Sequence, residues 1–390
     1  MATASDGEVV RLAAGGSVRD LAPLLPEGLP LGLRNYWYPV LQSEELPQDR
    51  PVGVMALGEA LAVWRDASGR ACAVRDRCPH RSIKLSVGRI LDGDLQCILH
   101  GLRFDGRGAC SLIPWEPEHT RHHDNLAITS YPVEELGGYV WIYIGDAKAF
   151  PPPPLKDEVP EELSKPDEFV WFRMPTEIWN ANWLLTVDGS DGFHAVTLHA
   201  GSQAVADKTW QGGKAEDAVV PLADRRIKIV RNAHGIRGVS VDKAGAAIHH
   251  GHVQKDIRGD RFTLPCIHTN PIVAAPGAAP YAARLWQFPI DEKRTHIARF
   301  ATFRARTDAE RAEAKRVFEE IARPRLVKVS AEDAMAAEAQ GDVVAARASE
   351  YIMAPDEDVV AIRRLMRRAL LAGHEGRRLS VSEGALAYPI

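Results

Sequence analysis

Residues 78–100, CPHRSIKLSVGRILDGDLQCILH, hold Cys78 and His80 in one short run and Cys97 and His100 in another. Two soft thiolates and two imidazoles form a metal-ligand set, and a tetrahedral zinc site accepts all four. Zinc fingers, however, pair Cys with Cys and His with His along the chain, whereas each run here supplies one of each. That order suits a two-iron cluster in which one iron takes both thiolates and the other both imidazoles. Imidazole in place of thiolate removes negative charge and raises the reduction potential. Pro79 stiffens the first run, and Gly88 and Gly101 permit tight turns beside the ligands. Cys72 and Cys110 lie outside the pattern and read as buried thiols.

A second set occurs in DGSDGFHAVTLH, residues 188–199. Asp191 and His194 are three apart and share a helical face. His199 follows five after His194, a poor fit to one face of a regular α-helix. The spacing therefore predicts a distortion, or a helix that ends between the two histidines, with Gly201 as a stop. Two histidines and one carboxylate with positions left open make the facial triad of non-haem Fe(II) oxygenases.

The C-x-H…C-x-x-H pattern resembles the Rieske [2Fe-2S] signature, and the D-x-x-H-x-x-x-x-H run resembles the mononuclear iron site of Rieske non-haem iron oxygenases. The resemblance implies that His194 and His199 bind iron and that Asp191 bridges the two centres by a hydrogen bond. It draws the third ligand from a late helix, where AEDAMAAEAQ (331–340) offers Asp333, with Glu332, Glu338 and Asp342 as local rivals. Asp188 departs from the pattern, since relatives often carry Asn there, and an extra carboxylate near the electron path alters local pKa values. LGLRNYWYPVL (31–41) and TNPIVAAPGAAPYAARLWQFPIDEKRTH (269–296) extend the likeness to oxygenase α-subunits, most like the carbazole and oxoquinoline group. In that group LPCIHTNP (264–271) aligns with a pocket-lining strand, so Cys266, Ile267, His268 and Asn270 are expected around an apolar pocket. Strand alternation lets only about half of them point inward.

These residues need elements to position them. VGVMAL, LAVWRDA and ACAVRD read as short strands, and YPVEEL and YVWIYIG flank a Gly137-Gly138 hairpin. AFPPPPLKDEVPEELSKP is a stiff connector. The expected organisation is an N-terminal segment (1–33), an all-β Rieske domain (34–150) and a catalytic domain (151–390), with 151–160 as the Pro-rich connector. RRIKIV, GVSVD, YAARLWQF and HIARFATF read as strands, and Asp308–Ile321 and Ala331–Leu371 as helices. The fold class is α+β, and the resemblance implies a helix-grip (START/Bet v1-like) catalytic domain with an antiparallel sheet and C-terminal helices.

At 390 residues, with 45% hydrophobic and 26% charged residues and a net charge of -4, the composition is that of a globular chain, with no charge excess for nucleic acid or an anionic membrane. The N-terminus lacks an apolar signal core, and five cysteines are few and odd in number, so a cytoplasmic setting with thiols or metal ligands is expected. IRRLMRRALLAGHEGRR places Ile362, Leu365, Met366, Ala369 and Leu370 on one helix face. Arg363, Arg364, Arg367 and Arg368 fall opposite, as a solvated basic face or one that receives an acidic ferredoxin. His249, His250, His252 and the His122-His123 pair carry no assigned role.

No glycine-rich dinucleotide fingerprint follows a strand, so NAD(P)H must act through a separate flavin reductase, with or without a ferredoxin. The resemblance implies a terminal oxygenase, with O2 as co-substrate, that hydroxylates a small apolar or aromatic molecule. It also implies a homotrimer in which the cluster of one subunit serves the neighbour's iron, His100 facing Asp191 of the next chain. The alternatives are an O- or N-demethylase of the same type, or a Rieske electron carrier without catalysis, against which the second iron motif argues. Purified anaerobically, the protein is expected to carry about three irons and two acid-labile sulfides per chain. One iron, or zinc in its place, contradicts the two-centre reading.

Overall fold

The computed structural model describes residues 31–117, 120–189, 194, 198–199, 226–232, 235–241, 248–249, 252–253, 261–272, 279–352, 356–381 and 385–387. The first half is built from eleven short strands: β1 (Tyr36–Gln42), β2 (Val52–Ala56), β3 (Glu59–Arg65), β4 (Ala71–Arg75), β5 (Arg89–Leu91), β6 (Asp94–Gln96), β7 (Arg103–Phe104), β8 (Cys110–Leu112), β9 (Ser130–Tyr131), β10 (Val133–Leu136) and β11 (Tyr139–Ile144). They form three antiparallel sheets in the orders β1-β11-β10, β2-β3-β4-β9 and β5-β6-β7-β8. The run Cys97–His100 joins β6 to β7 of the third sheet, and the run Cys78–His80 lies between β4 of the second sheet and β5 of the third. Gly137 and Gly138 turn the β10–β11 hairpin, with Leu136 opposite Tyr139.

β11 reads YVWIYI and is buried on both faces along its whole length. A strand covered on both sides has no polar face, so its apolar run is continuous rather than alternating. β2, half exposed, alternates as an edge strand should. The Pro-rich connector crosses this core, and Pro153 O accepts from Trp37 Nε1 at 2.9 Å.

The second half holds a seven-stranded antiparallel sheet: β12 (Phe169–Arg173), β13 (Glu177–Trp179), β18 (Arg261–Thr263), β19 (Ile267–Ile272), β20 (Tyr281–Pro289), β21 (Thr295–Arg304) and β22 (Ala385–Ala387), in the order β12-β21-β20-β19-β18-β22 with β13 also on β21. Two further pairs, β14–β15 (Arg226–Asn232 with Gly235–Val241) and β16–β17 (Ile248–His249 with His252–Val253), stand apart from it. The helices are α1 (Arg121–Asn125), α2 (Leu155–Glu158), α3 (Trp183–Asp188), α4 (Asp308–Val317), α5 (Arg323–Ala339), α6 (Val343–Ser349) and α7 (Glu357–His374).

The helices depart from the sequence reading in two places. α4 runs on through a π-turn at Phe318–Ala322 into α5, so the late helix begins at Arg323 and not at Ala331. The stretch expected as one helix to Leu371 is three. α5 stops at Gly341, and Asp342 caps α6 by accepting from Ala345 N at 2.9 Å. On α7, Ile362, Leu365, Met366 and Ala369 are buried as expected, but so is Arg363, at 6% exposure, which removes it from the solvated basic face.

The two halves share one core. Trp141 of β11 meets Trp286 of β20 edge-on at 5.3 Å, and Trp286 stacks on Phe300 of β21 at 5.1 Å. Tyr38 packs on Phe288 at 5.2 Å, and Tyr139 Oη donates to Arg299 O at 3.2 Å. Large aromatic side chains dominate core energetics, so the sheets cannot separate without exposing this cluster. Trp286→Ala is expected to cost about 3–5 kcal/mol. In a thermal melt of that variant the cluster absorbance and the catalytic-half circular dichroism should be lost together, at a lower temperature than in the parent. Two separated transitions contradict a shared core.

Candidate metal centres and substrate cavity

Cys78 and Cys97 head two turns of the same construction. In each, the cysteine N–H donates to the carbonyl five residues on, Ile83 O at 2.9 Å and Leu102 O at 2.8 Å. Each cysteine carbonyl accepts from the N–H four residues on, Ser82 at 2.8 Å and Gly101 at 2.9 Å. That fourth following residue has positive φ, +55° at Ser82 and +78° at Gly101, easy for glycine and costly for serine. Gly88 acts by proximity and not by its φ: a Cβ there would sit 2.1 Å from Gln96 O, beside Cys97.

Both thiols are 1% exposed, and no disulfide joins them. His80 is exposed and His100 half-buried, with ring centroids 4.6 Å apart. Burial pushes the Cys78 thiol up to about 11. A thiolate at that depth needs the positive charge of a metal, which deprotonates a coordinating thiol outright. Two buried soft ligands and two adjacent imidazoles nearer the surface fit the donor set of a [2Fe-2S] cluster, which these four residues would hold. Asp76 accepts from Ser86 N at 2.7 Å and from Ser86 Oγ at 2.6 Å, which pins the loop between the two ligand turns.

The second centre begins at α3. Asn182 caps it by accepting from Leu184 N at 3.0 Å, and its Nδ2 donates to Glu292 O at 2.7 Å. The helix ends at Gly189, before either histidine. Leu198 N donates to His194 O at 2.7 Å, one helical span, and His199 follows directly. Both histidines thus lie beyond the end of α3. Asp191 lies outside the described residues.

α5 supplies the carboxylate. Asp333 Oδ1 lies 3.4 Å from His194 Nε2 and 3.1 Å from His199 Nε2, and the three ligand atoms fall within 4.8 Å of one another. Asp333 Oδ1 is buried, yet neither contact has hydrogen-bond geometry. Burial opposes ionisation of Asp333, but the two imidazoles beside it override this and hold its carboxyl well below the usual carboxylate range. A half-buried carboxylate with a buried Oδ1 and two imidazole nitrogens aimed at a common point fit a divalent iron.

The rivals have other work. Glu332 Oε2 is 2.7 Å from His199 Nδ1, which places the proton on Nδ1 and turns Nε2 toward Asp333. Glu338 accepts from Asn180 N at 2.8 Å, and Asp342 caps α6. Asp188 is not a loose charge: Arg363 grips it with two bonds of 3.1 and 2.7 Å, and Arg347 reaches it at 2.8 Å. Arg363 also binds Glu350 at 2.6 and 2.8 Å. Sequence reading named Glu332 only as a rival ligand and missed Arg347 and Arg363 as parts of the site.

A cavity of about 350 Å³ opens beside His194, His199 and Asp333. His268, Asn270 and Ile272 of β19 line it in strand alternation. Cys266 and Ile267 do not. They are buried in the shared core, because Cys266 lies in the turn before β19 and Ile267 faces the opposite side of the sheet. The wall is less apolar than expected, since Gln287, Arg299 and Arg325 are 2%, 2% and 1% exposed and line it too.

Comparison with known proteins agrees with this geometry. Residues 36–132 match the Rieske [2Fe-2S] domain, and residues 143–372 match the homotrimeric ring hydroxylase family. The oxygenase of the carbazole 1,9a-dioxygenase oxygenase–ferredoxin complex superposes with a TM-score of 0.68 at 27% identity, covering 86% of this chain and 89% of that one. The 3-chlorobenzoate-3,4-dioxygenase oxygenase subunit of Comamonas testosteroni is 34% identical over 45% of this chain and 40% of its own length. The tert-butanol monooxygenase / tert-amyl alcohol desaturase oxygenase subunit of Aquincola tertiaricarbonis is 29% identical over 76% of this chain and 64% of its own. Those two alignments each span less than two thirds of the relative. The chain belongs to the homotrimeric ring hydroxylase family of Rieske non-haem iron oxygenases.

Proposed function

We propose that the chain is the terminal oxygenase component of a Rieske non-haem iron oxygenase system, which uses O2 and electrons from a separate ferredoxin or flavin reductase to hydroxylate an aromatic substrate. The observation that carries this is the convergence of His194, His199 and Asp333 on the wall of a cavity. When bound, the cluster supplies electrons one at a time and the mononuclear Fe(II) supplies oxygen activation. Cys78, His80, Cys97 and His100 would hold the former, and His194, His199 and Asp333 the latter.

The chain's own residues set the conditions. Glu332 holds the His199 ring in one tautomer. Arg363 and Arg347 neutralise Asp188, so the charge at that position does not compete with the ligands for the metal. Leu185, Ile272, Ala283, Leu285 and Leu326 supply the apolar part of the wall, which excludes water and seats a ring. Asp191 is proposed as the bridge between centres, and residues 34–150 and 151–390 as the cluster-bearing and catalytic domains.

The bridge joins different subunits of a trimer in this reading. Around His80 and His100 the exposed side chains of Val87, Ile98, Leu99 and Trp115 are 52%, 47%, 49% and 54% accessible, an apolar rim that supports docking of a neighbour. A fully active monomer in sedimentation contradicts it. Among the described residues no helix is long and apolar enough to cross a membrane. The five cysteines, all buried and unpaired, support the cytoplasm as the setting.

His194→Ala is expected to keep the cluster spectrum and lose the mononuclear iron and O2-dependent turnover; full activity in that variant ends the oxygenase reading. Asp191→Asn should retain both metals and lose most of its turnover, and unchanged turnover removes the bridging role. Glu332→Ala should weaken mononuclear iron binding about 10–100-fold with the cluster intact. Glu332→Gln, whose carbonyl still accepts from Nδ1, should restore most of that affinity. Equal iron affinity in both variants and the parent contradicts the positioning role.

A further inference from the structure

Arg299 is a cavity-lining side chain whose charge the mechanism above does not use and whose described surroundings do not balance it. It stands on β21 in a cross-strand row with His268 of β19 and Leu285 of β20, all three facing the cavity. Its Nη1 donates to Leu326 O at 2.9 Å, on α5. Its Nε has no hydrogen-bond partner among the described residues. No carboxylate among them comes within the 4.0 Å of an ion pair.

A buried guanidinium without a close counter-charge carries a large desolvation penalty. The acids that act on it from a distance are committed elsewhere. Glu177 accepts from Ser330 Oγ at 2.6 Å and from Trp179 Nε1 at 3.1 Å, and Asp333 faces the two imidazoles. Burial accordingly pushes the Arg299 pKa down, and Glu177 and Asp333 offset only part of that. Arg325, 1% exposed, lines the same cavity and adds a second positive charge. Of the other lining charges, Asp188, Glu350 and Arg363 close on one another.

We propose that Arg299, supported by Arg325, is an anion subsite that receives the carboxylate of an aromatic acid. The inference rests on reading the cavity as the oxygenase substrate site and narrows its substrate class. The span is suitable: Leu326, to which Arg299 is tied, precedes Asp333 by two helical turns, roughly 10 Å along α5. An acid anchored at Arg299 lays its ring over Leu285 and presents the far edge of that ring to His194, His199 and Asp333. A guanidinium fork matches a carboxylate in shape and charge, and Arg299 lines the cavity with no ion-pair partner among the described residues.

The test is calorimetric titration of the anaerobic, iron-loaded protein with 2-naphthoate and with 2-naphthamide, which differ chiefly in charge. The carboxylate is expected to bind about tenfold tighter or more, the size of one charge-assisted hydrogen bond. Arg299→Met should shrink that preference to within about threefold, and Arg299→Lys should keep part of it. Equal affinities in the parent protein overturn the proposal without recourse to any variant, and an undiminished preference in folded Arg299→Met overturns it as well. A protein that prefers the carboxylate yet consumes no O2 with it, when supplied with electrons, supports the subsite and counts against the oxygenase reading. One that oxidises the amide and does not discriminate overturns the subsite alone.

Discussion

Everything at the catalytic centre depends on the register of α5 against the turn that carries His194 and His199. Glu332 and His199 are 133 residues apart in sequence and meet at 2.7 Å. Nothing local holds them there. The helix is tied to the sheet at Leu326 by Arg299, at Ser330 by Glu177 and at Glu338 by Asn180, three points spread along its length. With those ties on one face, Asp333 has little freedom to slide or rotate, and its oxygen stays aimed between two imidazole nitrogens. A side-chain constellation held only by its metal would depend on the metal to form; here the protein carries most of the ordering cost in its fold.

The shared aromatic core extends the same constraint to the cluster. Trp141 belongs to a strand of the cluster-bearing half and Trp286 to the catalytic sheet, and they pack directly. Arg299 sits at the junction: its carbonyl accepts from Tyr139, its guanidinium holds α5, and the residue lines the cavity. One residue thus touches the core between halves, the helix of the carboxylate ligand and the proposed substrate subsite. Its position explains why a charged residue is retained in a place where an apolar one would be less costly.

The candidate cluster ligands were legible because both pairs are local, each within a few residues, and the turns that present them are sequence-encoded by Gly101 and Pro79. The matching turn at Ser82 was hidden, since serine gives no sign of positive φ. His194, His199 and Asp333 were legible only as a family pattern; spacing alone did not fix the fold of the chain around them. Glu332 passed for a rival ligand because a carboxylate next to a carboxylate looks the same in sequence whichever one faces the metal. Arg363 and Arg299 were unreadable for a general reason. Arginine in an amphipathic pattern is normally solvated, and only the long-range pairing with Asp188, or the cavity wall, shows otherwise. The break at Gly341-Asp342 was readable in principle, as a stop followed by a cap, but the alanine-rich run on either side favoured one continuous helix.

The most direct measurement is anomalous diffraction from crystals of the anaerobically iron-loaded protein, recorded above and below the iron edge. The account predicts a compact two-iron peak enclosed by Cys78, His80, Cys97 and His100, and a separate single peak bounded by the Nε2 atoms of His194 and His199 and the Asp333 carboxylate. No peak at the second position, or a peak there that follows the zinc edge and not the iron edge, would contradict it.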